Sequence, residues 1–194
     1  MHLPSPAPRK PLHTRVVSFN GFEREDGLWD IDANLRDSRH YPTLAVEKGV
    51  VAAGDAVHDM YVRVTVDDDL VIRAIAASMA SVPFGECPAA LDPLQALVGC
   101  TLGPGWHKVL SDTLGGVKSC THIRELLFNL ATAAYQTIPV RRAVVRFGGP
   151  NTLAPGAGPS FHMGKCKSWD FNGAVIARHY PQFVDWKKDF ERSE

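Results

Sequence analysis

The stretch from residue 60 to residue 78 leaves the chain little choice of local fold. Two runs rich in apolar and β-branched residues, 60–66 and 70–78, are separated by Asp67, Asp68 and Asp69, acids that favour a turn and interrupt any regular element. The pattern predicts a β-hairpin in which Val62, Val64 and Val66 share one face. That face needs a cover, because a lone hairpin is marginal in water.

An earlier strand has the same alternation. Trp29, Ile31, Ala33 and Leu35 alternate with Asp30, Asp32, Asn34 and Arg36, so one face is predicted buried and the other wet. Residues 16–22 suit a further short strand, and 41–51 lack a regular pattern because Pro42 and Gly49 interrupt it. After Pro83 the texture becomes helical. One helix is predicted over 89–98, ending at Gly99, and another from Pro104 toward Gly115 and Gly116. The strongest covers 121–137, where Ile123, Leu126, Leu127, Leu130 and Ala134 form one apolar stripe and Pro139 marks the end. Residues 143–147 read as a returning strand, and the Gly- and Pro-rich loop 148–160 has the length of a lid. Asn172 and Gly173 predict a C-terminal β-hairpin between 167–171 and 174–178. The fold class is therefore α+β, a small antiparallel sheet packed on helices, with residues 1–12 a flexible Pro-rich tail and 13–194 a single domain.

Composition narrows the partners. Lys plus Arg and Asp plus Glu number 21 each, which removes the positive field that sequence-independent nucleic-acid binding requires. No apolar run approaches the roughly 20 residues of a membrane helix, and the opening segment has no signal-peptide core. Four scattered cysteines do not suggest a secreted disulfide framework, so the expected compartment is the reducing cytoplasm, where thiols are free for chemistry or metals.

Five residues stand out as candidates. Cys120 and His122 open the strongest helix, where unpaired amides and the macrodipole favour an anion and depress a thiol's pKa. Cys87, just before Pro88, occupies a similar helix start. Asp55 and His58 lead into the first hairpin strand, where loop side chains reach a neighbouring helix start. Each also has a plainer reading: Cys120 as a small core residue, His122 as an ordinary first-turn residue, Asp55 in an Asx turn with His58 in water. Cys100 and Cys166 read as structural. Asp26, Asp30, Asp32 and Asp37 can supply a carboxylate, although alternating acids on a wet strand face ordinarily keep that face soluble. Trp106 and His107 suit a cavity wall, with Trp106 more simply core. Arg141, Arg142 and Arg146 can meet phosphates or form a solvated strand edge.

The run Asp26, Gly27, Leu28, Trp29, Asp30, then Ala53, Gly54, Asp55, His58, Asp59, Met60, and finally Gly115, Gly116, Cys120, Thr121, His122, Glu125, Leu126, Leu127 resembles the bacterial DUF2889 proteins, a family of unknown function. The likeness spans roughly residues 15–180 and is most specific around Cys120 and His122. The family is expected beside acyl and aromatic acid catabolism. The layout also resembles the iron–sulfur scaffold fold of the IscU and NifU N-terminal type, in which a Cys-Gly-Asp turn precedes a hairpin, a second Cys follows it, and a His-Cys pair opens a late helix. Gly54 and Asp55 match the turn, Cys87 the second thiol and Cys120 the third, while Ala53 replaces the first Cys and Ser119 the His, leaving His122 or His58 as substitutes.

That resemblance implies a metal set of Asp55, His58, Cys87, Cys120 and His122. Its mixed hard and soft donors suit Zn²⁺ or Fe²⁺ better than an all-thiolate cluster. Two functions follow as expectations. One is a hydrolase of an activated acyl group, such as an acyl- or aryl-CoA thioesterase, using metal-bound water or the Cys120 thiolate, with His122 or His58 as base and Asp55 in the site. The other is a non-catalytic metal or iron–sulfur carrier.

Overall fold

The computed structural model describes residues 3–147, 158–160 and 162–186. The chain forms two compact units, Met1–Arg141 and Arg142–Glu194.

The first unit is built on a four-stranded antiparallel sheet in the order β1-β2-β5-β6, with β1 His13–Glu23, β2 Trp29–Arg39, β5 Ala56–Val66 and β6 Ile72–Ser81. A separate two-stranded ribbon, β3 Thr43–Ala45 with β4 Gly49–Val51, fills the irregular stretch between β2 and β5. The predicted hairpin is β5–β6. Its acidic turn is closed by Asp67, whose Oδ1 accepts the N–H groups of Asp69 at 2.9 Å and Val71 at 3.0 Å.

Register follows the alternation. Across β1, β2 and β5 the paired rows are Val17–Leu35–Met60, Phe19–Ala33–Val62 and Gly21–Ile31–Val64. The β2 and β5 members of these rows are buried, each large side chain stabilising the fold by about 1.5–3 kcal/mol. The opposite face is polar, where Arg63 donates to both oxygens of Asp32 at 2.6 and 2.7 Å and Asn34 donates to Asp59 at 3.0 Å.

Helices cover the apolar face: α1 Trp106–Leu114 and α2 Thr121–Phe147, preceded by a 3₁₀ segment Cys87–Leu97. Ile123, Leu126, Leu127, Leu130, Ala134 and Ile138 of α2 are buried in the same core cluster as Ile31, Leu35, Met60 and Val64. Three contacts tie α2 along β1. Arg15 Nη1 lies 3.4 Å from Glu125 Oε2, Arg141 Nε 2.7 Å from Glu23 Oε2, and between them the backbone at Gly21 comes so close to Thr137 that a Cβ there would overlap its side chain. Only glycine permits that approach.

The sequence and the structure part company at prolines and at the C-terminus. Residues 87–97 adopt the tighter 3₁₀ form because Pro93 lies inside the segment, where it lacks the N–H of a longer-pitch bond and crowds the preceding turn. Pro139 does not end α2, and residues 143–147 are helix rather than a returning strand. An interior proline costs about 3 kcal/mol; burial of Ala134 and Ile138 and the Arg141–Glu23 pair offset it on either side. Residues 148–157 of the loop considered as a lid lie outside the described residues. Residues 3–12 are exposed and without regular structure.

In the second unit the predicted β-hairpin is replaced by a 3₁₀ turn, Lys167–Trp169, and a helix, α3 Ala174–His179. Asn172 and Gly173 start a helix instead of turning a ribbon. Asp170 Oδ1 accepts the Asn172 N–H at 3.0 Å, and the Gly173 carbonyl accepts the Ala177 N–H at 3.1 Å. Ile176 of α3, Tyr180 just past its end and Phe183 in the 3₁₀ turn Pro181–Phe183 bury together with Met163.

Candidate functional site

The buried alternation of β2 and β5 does not stop where their hydrophobic residues stop. Two positions beyond Leu35 on the same face stands Asp37, and two before Met60 stands His58. Register pairs Arg15 of β1 with Asp37, and Asp37 with His58, making a polar row next to Val17–Leu35–Met60. A β-bulge follows between Asp37 and Ser38, the kind of irregularity that re-aims side chains at a sheet's end.

Asp37 is only 3% exposed, so its charge needs partners. Arg15 donates from Nε to Oδ1 and from Nη2 to Oδ2, both at 2.8 Å, a bidentate fork. His13 Nε2 is 3.0 Å from Oδ1, His58 Nδ1 is 3.2 Å from Oδ2, and His122 Nε2 is 3.8 Å from Oδ2. Burial pushes the Asp37 carboxyl up, but the hydrogen bond and charge of Arg15, joined by His13, bring it down to about 2.

The start of α2 delivers the rest. The Arg124 N–H donates to the Cys120 carbonyl at 3.0 Å, so Cys120 caps the helix that begins at Thr121. Its Sγ accepts the N–H groups of His122 and Ile123, in the manner of a Ser or Asp cap, and lies 3.7 Å from His122 Nδ1. Burial pushes the Cys120 thiol up; the His122 hydrogen bond, the two amides and the imidazole charge outweigh it, and the thiol titrates below its ordinary value. His122 is raised, chiefly by its bond to Cys120, against burial. Each shift is toward the charged form of its group. His58, stacked at a tilt on His122 with ring centroids 4.2 Å apart, is lowered by burial first and by the His122 charge second, so its neutral form is favoured.

Of the five residues singled out from sequence, His58, Cys120 and His122 come together. Asp55 does not join them; it is exposed in the turn before β5, its N–H bonded to the Ala52 carbonyl at 3.1 Å. Cys87, Cys100 and Cys120 all pack half-buried against the hydrophobic core cluster, and Cys120 also has its sulfur beside an imidazole, while Cys166 is exposed in the second unit. Asp37 takes the carboxylate position, and His13 and Arg15 complete its surroundings. Trp106 is core, its Nε1–H bonded to the Leu127 carbonyl at 3.0 Å. His107 stacks edge-on against Phe128. Arg141 is paired with Glu23 and lies about 30 Å along α2 from Cys120, taking 1.5 Å per residue.

Asp37, His58 and His122 form a group that could hold a metal ion, with one ligand atom from each lying within 4.8 Å of the others. Their donor set, two imidazoles and a carboxylate, suits zinc or ferrous iron.

The electrostatics of Cys120 are open to a direct check. Alkylation of Cys120 by iodoacetamide is expected to have its pH midpoint below that of an ordinary thiol, and His122→Gln is expected to move it upward, because the imidazole's bond and charge are lost while the amides remain. Peptide-resolved mass spectrometry reads this separately for each of the four cysteines. A midpoint unmoved by His122→Gln would show that the pair does not couple.

No helix among the described residues is long and apolar enough to cross a membrane. No curated protein and no solved structure matches the chain. A family pattern does match, over residues 13–136, a range that runs from His13 through the first turns of α2 and takes in Arg15, Asp37, His58, Cys120 and His122. The chain belongs to the family described as "Protein of unknown function (DUF2889)".

Proposed function

We propose that this protein is a thiol-dependent hydrolase of activated acyl groups, with Cys120 as nucleophile, His122 as its acid–base partner and Asp37 holding the imidazole. One observation carries the reading: His122 presents Nδ1 to the Cys120 sulfur at 3.7 Å and Nε2 to Asp37 at 3.8 Å, at the amino end of a long helix. Nucleophile, base and orienting carboxylate in that order are the arrangement that activates a side chain for acyl transfer, and such contacts are commonly looser before substrate binds.

In the first step the Cys120 thiolate attacks the acyl carbon and the carbonyl π pair moves to oxygen. Collapse of the tetrahedral adduct breaks the bond to the leaving thiolate, which takes the Nδ1 proton of His122. The imidazole, now neutral, removes a proton from water. The hydroxide formed attacks the acyl-cysteine carbon, and Cys120 departs as a thiolate beside the reprotonated His122. The positive end of α2 favours the negative charge throughout. Thioesters are the substrate class that suits this site, because sulfur-to-sulfur acyl transfer exchanges groups of similar basicity. A coenzyme A ester is the natural member. An iron–sulfur carrier would need thiolate ligands, and the group of Asp37, His58 and His122 that could hold a metal among the described residues contains no sulfur.

The test is a panel of acyl- and aryl-CoA thioesters assayed for thiol release, with acid quench during turnover and mass spectrometry of the Cys120 peptide. Expected is release with at least one member and an acyl adduct on Cys120. Release without an adduct on that residue, or no release across the panel, would overturn the proposal.

A further inference from the structure

We infer that a divalent cation of the zinc class binds at Asp37 Oδ2, His58 Nδ1 and His122 Nε2, and that its binding withdraws His122 from proton transfer. The mechanism above leaves His58 unused, a half-buried imidazole turned toward the same oxygen of Asp37 that His122 faces. The three side chains come from β2, β5 and α2, and the register that makes Asp37 and His58 opposite neighbours fixes two of them as a pair.

Two of the three ligand spacings suit an ion, and the third, between the imidazole nitrogens, is within 4.8 Å. Ligands about 2.0 Å from a tetrahedral zinc lie about 3.3 Å from each other. Asp37 Oδ2 is 3.2 Å from His58 Nδ1 and 3.8 Å from His122 Nε2, so shifts of a few tenths of an ångström would bring either nitrogen to that spacing. The carboxylate is held ready from behind, where His13 Nε2 and Arg15 Nε contact Oδ1, the supporting arrangement that orients metal ligands. Arg15 Nη2 also donates to Oδ2, but a carboxylate oxygen has two lone pairs, so one remains for a cation.

Cys120 stands outside this shell. Its sulfur is on the Nδ1 side of His122, and the ion would sit on the Nε2 side. With Nε2 coordinated, His122 keeps a single proton on Nδ1. Giving that proton to a leaving group would create a metal-bound imidazolate in place of a neutral ring, so the acid role is lost. The inhibitory consequence rests on the hydrolase reading; the ion site itself does not.

Calorimetric titration of Zn²⁺ into chelator-treated, dialysed full-length protein tests the site. Expected is one ion per chain, an affinity lowered more than about 100-fold in His58→Ala, and a change within about threefold in Cys120→Ala, since loss of a merely supporting residue already costs about 10–100-fold. Thioester turnover of the wild type is expected to fall in step with occupancy and return with EDTA, whereas the turnover that remains in His58→Ala is insensitive to the same zinc. Absence of stoichiometric binding, equal affinity in His58→Ala, or a loss in Cys120→Ala as large as in His58→Ala would overturn the site. Turnover unchanged or raised at full occupancy would overturn the inhibition. A zinc-free protein without turnover would instead sink the hydrolase reading, and the titration would still decide the site.

Discussion

Cys120→Ala is expected to lower thioester turnover by about 10⁴-fold or more while the protein stays folded. The size follows from the role. If the acyl group passes through a covalent bond to this sulfur, alanine leaves only substrate binding and the field of the α2 terminus, and no second nucleophile takes its place. The structural cost is small by comparison. The sulfur caps α2 by accepting the His122 and Ile123 amides, and loss of a cap costs about 1 kcal/mol, so the circular dichroism spectrum should be unchanged. Cys120→Ser separates shape from ionisation: a hydroxyl caps as well as a thiol, yet this environment does not ionise it, and turnover is expected to fall almost as far. In the wild type the pH profile of kcat/KM should rise with ionisation of Cys120, below the ordinary thiol range, and fall as His122 loses its proton, above its ordinary 6.5. The two limbs belong to the pair rather than to either group alone. An alanine variant within tenfold of wild type would remove the nucleophile from the mechanism.

How far this site could be read beforehand depends on the kind of signal each residue leaves. Cys120 and His122 were legible because a helix start is a local event, written in the residues that flank it. The two strands were legible for the same reason, since alternation is carried by consecutive residues. Asp37 was within reach too: counted in steps of two from Trp29 it falls on the buried face with Ile31, Ala33 and Leu35. Composition pulled the other way, grouping it with Asp30 and Asp32, which have the opposite parity and lie on the polar face. His58 joins the site by the same count from Met60. What no count could supply is that Asp37 and His58 are paired, because β3, β4 and their turns intervene and only the folded register brings the two together. Cys87 shows the limit of a local signal: its position before a proline at a helix start is like that of Cys120 and both pack against the core, but the imidazole beside the Cys120 sulfur comes from its own helix turn and has no counterpart in the residues flanking Cys87. At the C-terminus a strong local turn signal, Asn172–Gly173, was outweighed by the burial of Ile176, Tyr180 and Phe183 with Met163, which contributes more than any two-residue turn preference.

Asp37→Asn is expected to cost both stability and turnover, and the two losses should depend on pH in different ways. The carboxyl titrates at about 2 in the folded chain against an ordinary 3.8, a depression that contributes about 2 kcal/mol of stability at neutral pH. Because the folded value is the lower one, this stability is complete above the ordinary carboxylate range and is lost as the pH falls toward 2. Asparagine removes it and turns an amide NH₂ toward Arg15 and one of His13 and His58, so a total loss of about 2–4 kcal/mol is expected at pH 7, seen as a melting temperature lower by about 5–10 °C. The gap between variant and wild type should narrow as the pH is lowered through about 2, below which the native carboxyl is also neutral. Turnover should drop by about 10²-fold or more, since His122 loses the group that orients it. Its basic limb should also move to lower pH, because the attraction of Asp37 is gone while the repulsion of Arg15 remains. A variant that melts with the wild type at pH 7 would mean that the Arg15–Asp37–His58 row does not hold the sheet's end. One that kept the basic limb in place would detach Asp37 from His122 and leave Cys120 and His122 to act as a dyad.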